Sequence, residues 1–144
     1  VGLINYHFQS KDNLLNAAIG DVMAESIQEF TSANEGGTGE ENLKQMLSAL
    51  CDLAFAHEKR IGFAIKRSLL DGDMQTPLYL VPMLKKIFAD REEMELRVMA
   101  LQLLYPIQIA GINPSAFHVY SGLNLQSKED RRRFIDVLME NLMH

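Results

Sequence analysis

An all-α fold, a bundle of amphipathic and buried helices, is what the sequence predicts, and three observations predict it. Apolar residues recur at intervals of three and four along most of the chain. No two alternating runs are joined by a hairpin turn. Serine caps stand before two of the apolar runs, at Ser10 and Ser127, and Asp71-Gly72-Asp73 stops a third. The 144 residues are 47% hydrophobic and 23% charged, the balance of a globular domain large enough to bury a core.

The elements follow in order. Residues 1–7 form a short helical piece with Leu3 and Ile4 apolar, and Phe8-Gln9-Ser10 is a tight turn. Ser10 is a good N-cap and Asp12 favours the dipole of the helix it opens, residues 11–31. There Leu15, Ile19, Val22, Met23, Ile27 and Phe30 make one stripe, and Asp12, Asn16, Asp21, Glu25 and Glu29 fall mostly away from it. Residues 33–40 are a flexible loop; the three glycines lack the preceding strand and the following Gly-Lys-Ser/Thr that a phosphate cradle needs.

Residues 41–57 form the next helix, with Leu43, Met46, Leu47, Leu50, Leu53 and Ala54 on one side and Phe55 flanking it. Residues 60–70 form another, which Asp71-Gly72-Asp73 stops. That turn begins like a calcium loop, but Thr76 stands where the loop needs glycine and Pro82 where it needs a bidentate glutamate. A helix over 78–88 is interrupted or entered at Pro82. The helix over 91–109 is the most apolar, and apolar on nearly every side, so it is buried on more than one face, with Pro106 expected to kink it near its end. Residues 113–126 read as irregular with a short turn at 115–118. Ser127 caps the last helix, with Asp130 three residues on, and Phe134, Ile135, Leu138, Met139 and Leu142 form its wide apolar face up to Met143.

The net charge of −5 and estimated pI of 5.3 disfavour autonomous binding to a phosphate backbone, though not a separate basic lobe. The single cysteine, Cys51, rules out an intramolecular disulfide, reads as a small buried hydrophobe, and points to a reducing, cytoplasmic setting. No apolar stretch reaches the roughly 20 residues of a membrane helix. Enzyme chemistry finds no footing either. His7, His57, His118 and His144 form no His-Glu-x-x-His pair, no Cys/His metal spacing exists, and Ser121-Gly122 lacks the flanks of a nucleophile elbow. His118, near Tyr120, reads as a surface or interface histidine. The expectation is no catalysis, no metal and no cofactor.

One segment is more specific. The run Gly2-Leu3-Ile4-Asn5-Tyr6-His7-Phe8-Gln9-Ser10-Lys11-Asp12-Asn13-Leu14-Leu15 resembles the end of the helix-turn-helix of the TetR (tetracycline-repressor-like) family of transcriptional regulators. In that family a recognition helix ends in an aromatic, often a histidine, then phenylalanine, and a Ser-Lys-acidic-x-Leu-Leu entry into a long helix follows. The resemblance implies DNA-binding roles for Leu3 and Asn5 towards the groove and for Tyr6, His7 and Lys11 on phosphates, the last at a helix N-terminus. It implies three parts: residues 1–10 as the remnant of the recognition helix and turn, 11–31 as a connecting helix, and 32–144 as an effector-binding and dimerisation domain. The chain starts inside the motif without an initiator methionine, so it is expected to be a fragment lacking the first two helices of the DNA-binding domain, with no specific operator affinity of its own.

The body is then expected to resemble the family's C-terminal bundle, a homodimer that binds a small, largely apolar effector. Expected pocket residues are Leu50, Phe55, Phe63 and Met83, together with Phe88, Met99, Gln102 and Tyr105. The eight methionines offer adaptable packing to varied ligands. In that family the last two long helices pair with their copies in a four-helix interface, and here they carry more apolar surface than one small body can bury, so the resemblance implies a dimer interface at Leu104 and Gln108 on one and at Phe134, Ile135, Leu138, Met139 and Leu142 on the other. Operator DNA would be a partner of the full-length protein only, and a membrane is not expected. The alternative is a helical dimerisation or protein-interaction module without a small-molecule ligand.

Overall fold

The computed structural model describes residues 38–56, 58–72 and 74–143, and leaves aside the side chains of 53, 56, 58–61, 63 and 64. The expected helices 1–7 and 11–31 and the loop from 33 to 37 therefore lie outside the described residues. Within them every regular element is a helix.

Helix α1 (Gly39–Ala56) starts where Thr38 Oγ1 accepts the Glu41 amide at 3.2 Å, with Glu40 and Glu41 in its first turn. Its apolar stripe is buried: Leu43, Met46, Leu47, Leu50 and Phe55 join the core, with Cys51 beside them. Helix α2 (Glu58–Leu70) ends on Gly72, whose φ of +69° is left-handed and so suits glycine.

Two short helices follow, α3 (Gln75–Leu78) and α4 (Val81–Ile87). Tyr79 and Leu80 between them keep right-handed helical dihedrals, so the chain winds from 75 to 87 with one interruption. The helix expected from 78 thus starts earlier, and Pro82 sits in the first turn of α4, where its missing N–H costs nothing. Lys85 Nζ closes the exit by donating to the carbonyls of Ala89 at 2.9 Å and Arg91 at 3.0 Å.

Helix α5 (Glu93–Ile112) opens on a capping box between Glu92 and Glu95, and the Glu92 amide, 3.0 Å away, holds the Glu95 carboxyl below its usual pKa with help from Arg91. The helix runs through Pro106 and ends three residues later than expected. Pro106 can offer no N–H to the Gln102 carbonyl, but Gln102 is exposed and water can serve there.

A larger correction follows. Residues 114–121, expected to be irregular, form a complete helix, α6 (Pro114–Ser121). Asn113 Oδ1 accepts the Ala116 amide at 3.1 Å, Pro114 occupies the first turn, and Gly122 closes the helix with φ +79°. The terminal signals stand in the sequence, but the helix buries no residue, so an apolar period could not announce it. Helix α7 (Lys128–Met143) begins as expected on Ser127, whose Oγ accepts the Asp130 amide at 3.4 Å.

Helix α5 is the hub: α2, α3 and α4 pack on it, as do α6, α7 and α1. The expectation that this helix is buried on more than one face is not met: its buried residues, among them Leu96, Leu103, Leu104 and Ile107, recur at three and four residues along one side, and Met94, Val98 and Ile109 on the other side are exposed although apolar. The α2 crossing is close: a Cβ on Gly62 would lie 3.4 Å from the Gly111 carbonyl oxygen, and one on Gly111 would lie 3.5 Å from Ile65 Cδ1. Helix α1 closes the core by packing on α7 and α4. None of the described helices is long and apolar enough to cross a membrane.

Candidate functional site

Of the expected pocket residues, Leu50, Phe55 and Met83 are buried in the core, and Phe88 and Met99 pack half-buried against it. Tyr105 is half-buried, and its hydroxyl meets Met74 Sδ at 3.2 Å. Gln102 points to solvent, which removes it from any interior site, and the Phe63 side chain lies outside the described residues. The first five therefore belong to one apolar cluster from α1, α4, the turn after α4, and α5. The expected DNA-contacting residues Leu3, Asn5, Tyr6, His7 and Lys11 lie outside the described residues.

The expected dimer residues fare differently. Leu104, Phe134, Ile135 and Met139 are 3%, 8%, 0% and 5% exposed within a single chain. A side chain already packed by its own chain has no surface left for a partner, so these four are core residues. Leu138 and Leu142 are half-buried against the same core. Gln108 is half-buried, with its Oε1 enclosed and unpaired. Helical periodicity shows that a face is apolar; it does not show whether the cover comes from the same chain.

A groove of 610 Å³ runs between α1 and α7, and none of the expected pocket residues lines it. Its walls carry Glu41, Asp52 and Asp136 against Lys44, Lys128 and Arg132, with Gln45, Ser48 and Ala49 on the α1 side. Lys44 and Asp136 form an ion pair across it. The α1 wall follows the helical period outside the apolar stripe, and sequence reading passes over it because a polar stripe ordinarily faces water. Beside the groove Arg131, only 15% exposed, ties three pieces of chain together. Its Nε donates to Asp52 Oδ1 at 2.8 Å, and one terminal nitrogen donates to the carbonyls of Leu125 at 2.9 Å and Gln126 at 3.2 Å.

Cys51 is fully buried, and burial pushes its thiol up to about 12, opposed by Arg131 and assisted by Asp52. The folded state thus holds the neutral thiol. The stability this brings is fully present below the unfolded thiol's pKa of roughly 8.5, and it is lost as the pH climbs through the folded value near 12. Labelling with a maleimide at neutral pH is expected to proceed only as fast as the chain opens. Labelling at the rate of a free thiol would contradict this burial. Among the described residues no group of His, Cys, Asp and Glu is placed to hold a metal ion.

Comparison of the chain with protein-family models, with curated proteins and with solved structures finds no match in any of the three.

Proposed function

We propose that this chain is the sensing and dimerising body of a TetR-type transcriptional regulator, a repressor that answers to a small, largely apolar effector. The observation that carries the reading is the run from Gly2 to Leu15, with Tyr6-His7-Phe8 followed by Ser10-Lys11-Asp12 and Leu14-Leu15. The all-helical body supports it, as does an acidic charge that leaves phosphate binding to a separate unit. In this reading the protein is cytoplasmic, catalyses nothing and works as a homodimer. The effector lodges among Leu50, Phe55, Met83, Phe88 and Met99, and helix 11–31 carries the resulting shift to the DNA-reading unit. Effector and operator then oppose or reinforce each other through one coupling free energy.

One observation favours the second reading, a dimerising interaction module with no small ligand: Leu50, Phe55 and Met83 are buried by protein, and the groove between α1 and α7 is lined mostly by charged and polar residues. A thermal-shift screen of the 144-residue chain against small apolar compounds separates the two. The effector reading expects a saturable rise in Tm that grows with ligand concentration, about 2.7 kcal/mol of added stability at a hundredfold excess over Kd. A dimer whose Tm no compound moves would leave the second reading. The DNA-reading half is decided by the genomic sequence upstream of Val1, where a basic two-helix segment is expected; an in-frame stop there would overturn it.

A further inference from the structure

Two bridges bracket the groove between α1 and α7. Arg131 joins α7 to Asp52 of α1 at 2.8 Å, and Lys44 of α1 joins Asp136 of α7. The two helices run antiparallel, since the later residue on α1 meets the earlier one on α7. Lys44 and Asp52 stand just over two helical turns apart, about 12 Å at 1.5 Å per residue. Between the bridges α1 presents Gln45, Ser48 and Ala49, and α7 presents Arg132, with Lys128 one turn before it.

What these polar groups lack is a partner. Gln45, Ser48, Lys128 and Arg132 make no hydrogen bond or ion pair with any described residue. Asp136, one turn after Arg132, is where an i,i+4 ion pair would ordinarily form, but Lys44 holds it from across the groove. Asp52 is held by Arg131 in the same way. Glu41, the third carboxylate on the walls, lies beyond the Lys44 bridge at the start of α1. Lys128 and Arg132 are therefore like charges one turn apart, an arrangement that weakens a helix until an anion relieves it.

The middle of the groove thus offers a guanidinium, an ammonium, a carboxamide and a hydroxyl, all able to donate, while the carboxylates beside them are engaged. Such a set is complementary to an oxyanion. The bridges already fix the separation of the walls, so the donors need little rearrangement to receive one.

We propose that this groove binds a small molecule through a phosphate or carboxylate group. Arg132 grips the group as a fork, Lys128 neutralises it, and Ser48 and Gln45 donate from the opposite wall. The volume of 610 Å³ leaves room for a body of metabolite size behind the charged head. A chain of net charge −5 repels anions in general, so retention here is local to these four side chains. The site is separate from the apolar cluster in which the effector reading lodges its ligand, and either can fail without the other.

Amide NMR spectra of the 144-residue chain test this, titrated with sodium phosphate and separately with sodium succinate at constant ionic strength. Shifts that saturate at millimolar ligand and centre on residues 45–52 and 128–132 are expected. Arg132→Gln is expected to weaken binding by about 10-fold, through loss of the charge-assisted fork. Lys128→Gln is an independent second variant, expected to weaken it by about 3-fold or more. Arg133→Gln is the control: it removes the same charge from a neighbouring position outside the groove and should leave the affinity within about 2-fold. All three side chains are exposed, so the fold should survive each change, which far-UV circular dichroism checks. Saturation by phosphate alone would assign a phosphoryl head group, and by succinate alone a carboxylate. Shifts with neither salt, shifts that never saturate, or an Arg133→Gln loss as large as that of Arg132→Gln would overturn the site.

Discussion

Truncating Leu103 to alanine is expected to lower the unfolding free energy by about 3–4 kcal/mol. Leu103 is 1% exposed near the middle of α5, the helix on which α1, α2, α3, α4, α6 and α7 all pack. Removing most of its side chain costs the transfer free energy of the lost carbons and adds a cavity term that depends on how far the surroundings close in. Here closure is poor. The inner side of a helix on which six others pack cannot close over a void at one contact without opening a gap at another. Urea denaturation should therefore show a lower midpoint with an unchanged m-value. On the same helix Val98 is 46% exposed, and Val98→Ala should stay within about 0.5 kcal/mol of the parent. Equal losses at the two positions would mean that α5 does not have this inner side.

Arg131→Ala should cost about 2–3 kcal/mol, and Arg131→Lys should not restore it. The guanidinium is 15% exposed and makes three hydrogen bonds, to Asp52 on α1 and to the carbonyls of Leu125 and Gln126 in the turn before α7. It therefore pins α7 to α1 and fixes the turn that delivers Leu125, 1% exposed, to the core. Alanine leaves those two carbonyls without this donor. Lysine brings one compact ammonium, which cannot reproduce a planar fork that reaches a carboxylate on one side and two carbonyls on the other. The Asp52 side is weaker, because its side chain is 41% exposed and water can replace the guanidinium there. Asp52→Asn is accordingly expected to cost less than Arg131→Ala. Equilibrium denaturation of the three variants would detect the order, and a lysine variant as stable as the parent would show that charge alone matters.

The two positions illustrate what is legible in a sequence. Leu103 can be assigned to the core as part of a long apolar helix, but composition overstates how much of that helix is enclosed, since Met94, Val98 and Ile109 on its other side are exposed. Arg131 cannot be assigned from Lys128-Glu129-Asp130-Arg131-Arg132-Arg133, a charged run in which nothing distinguishes one arginine from its neighbours. Its role comes from Asp52, seventy-nine positions away. The same limit explains the expected dimer residues. Phe134, Ile135 and Met139 do form one apolar side of α7, and the error lay in assigning that side to a second copy when α1 and α5 of the same chain already cover it. Helix α6 fails in the other direction: Asn113, Pro114 and Gly122 mark its ends, but with no buried stripe there is no period to connect them.

By itself the sequence determined that the described residues are built of helices, within two residues where α1, α2 and α7 start and stop, and that Cys51 and the α1 stripe lie inside. These follow from caps, glycine and proline dihedrals and apolar spacing, all of which act within a few residues. Only the tertiary structure decided which apolar sides are spent on the chain's own core, which arginine holds α7 to α1, and that α6 and the end of α5 leave Ile109, Val119 and Tyr120 exposed. Those outcomes depend on which helix lies against which, and such pairings are set by the packing of distant segments that no local pattern encodes.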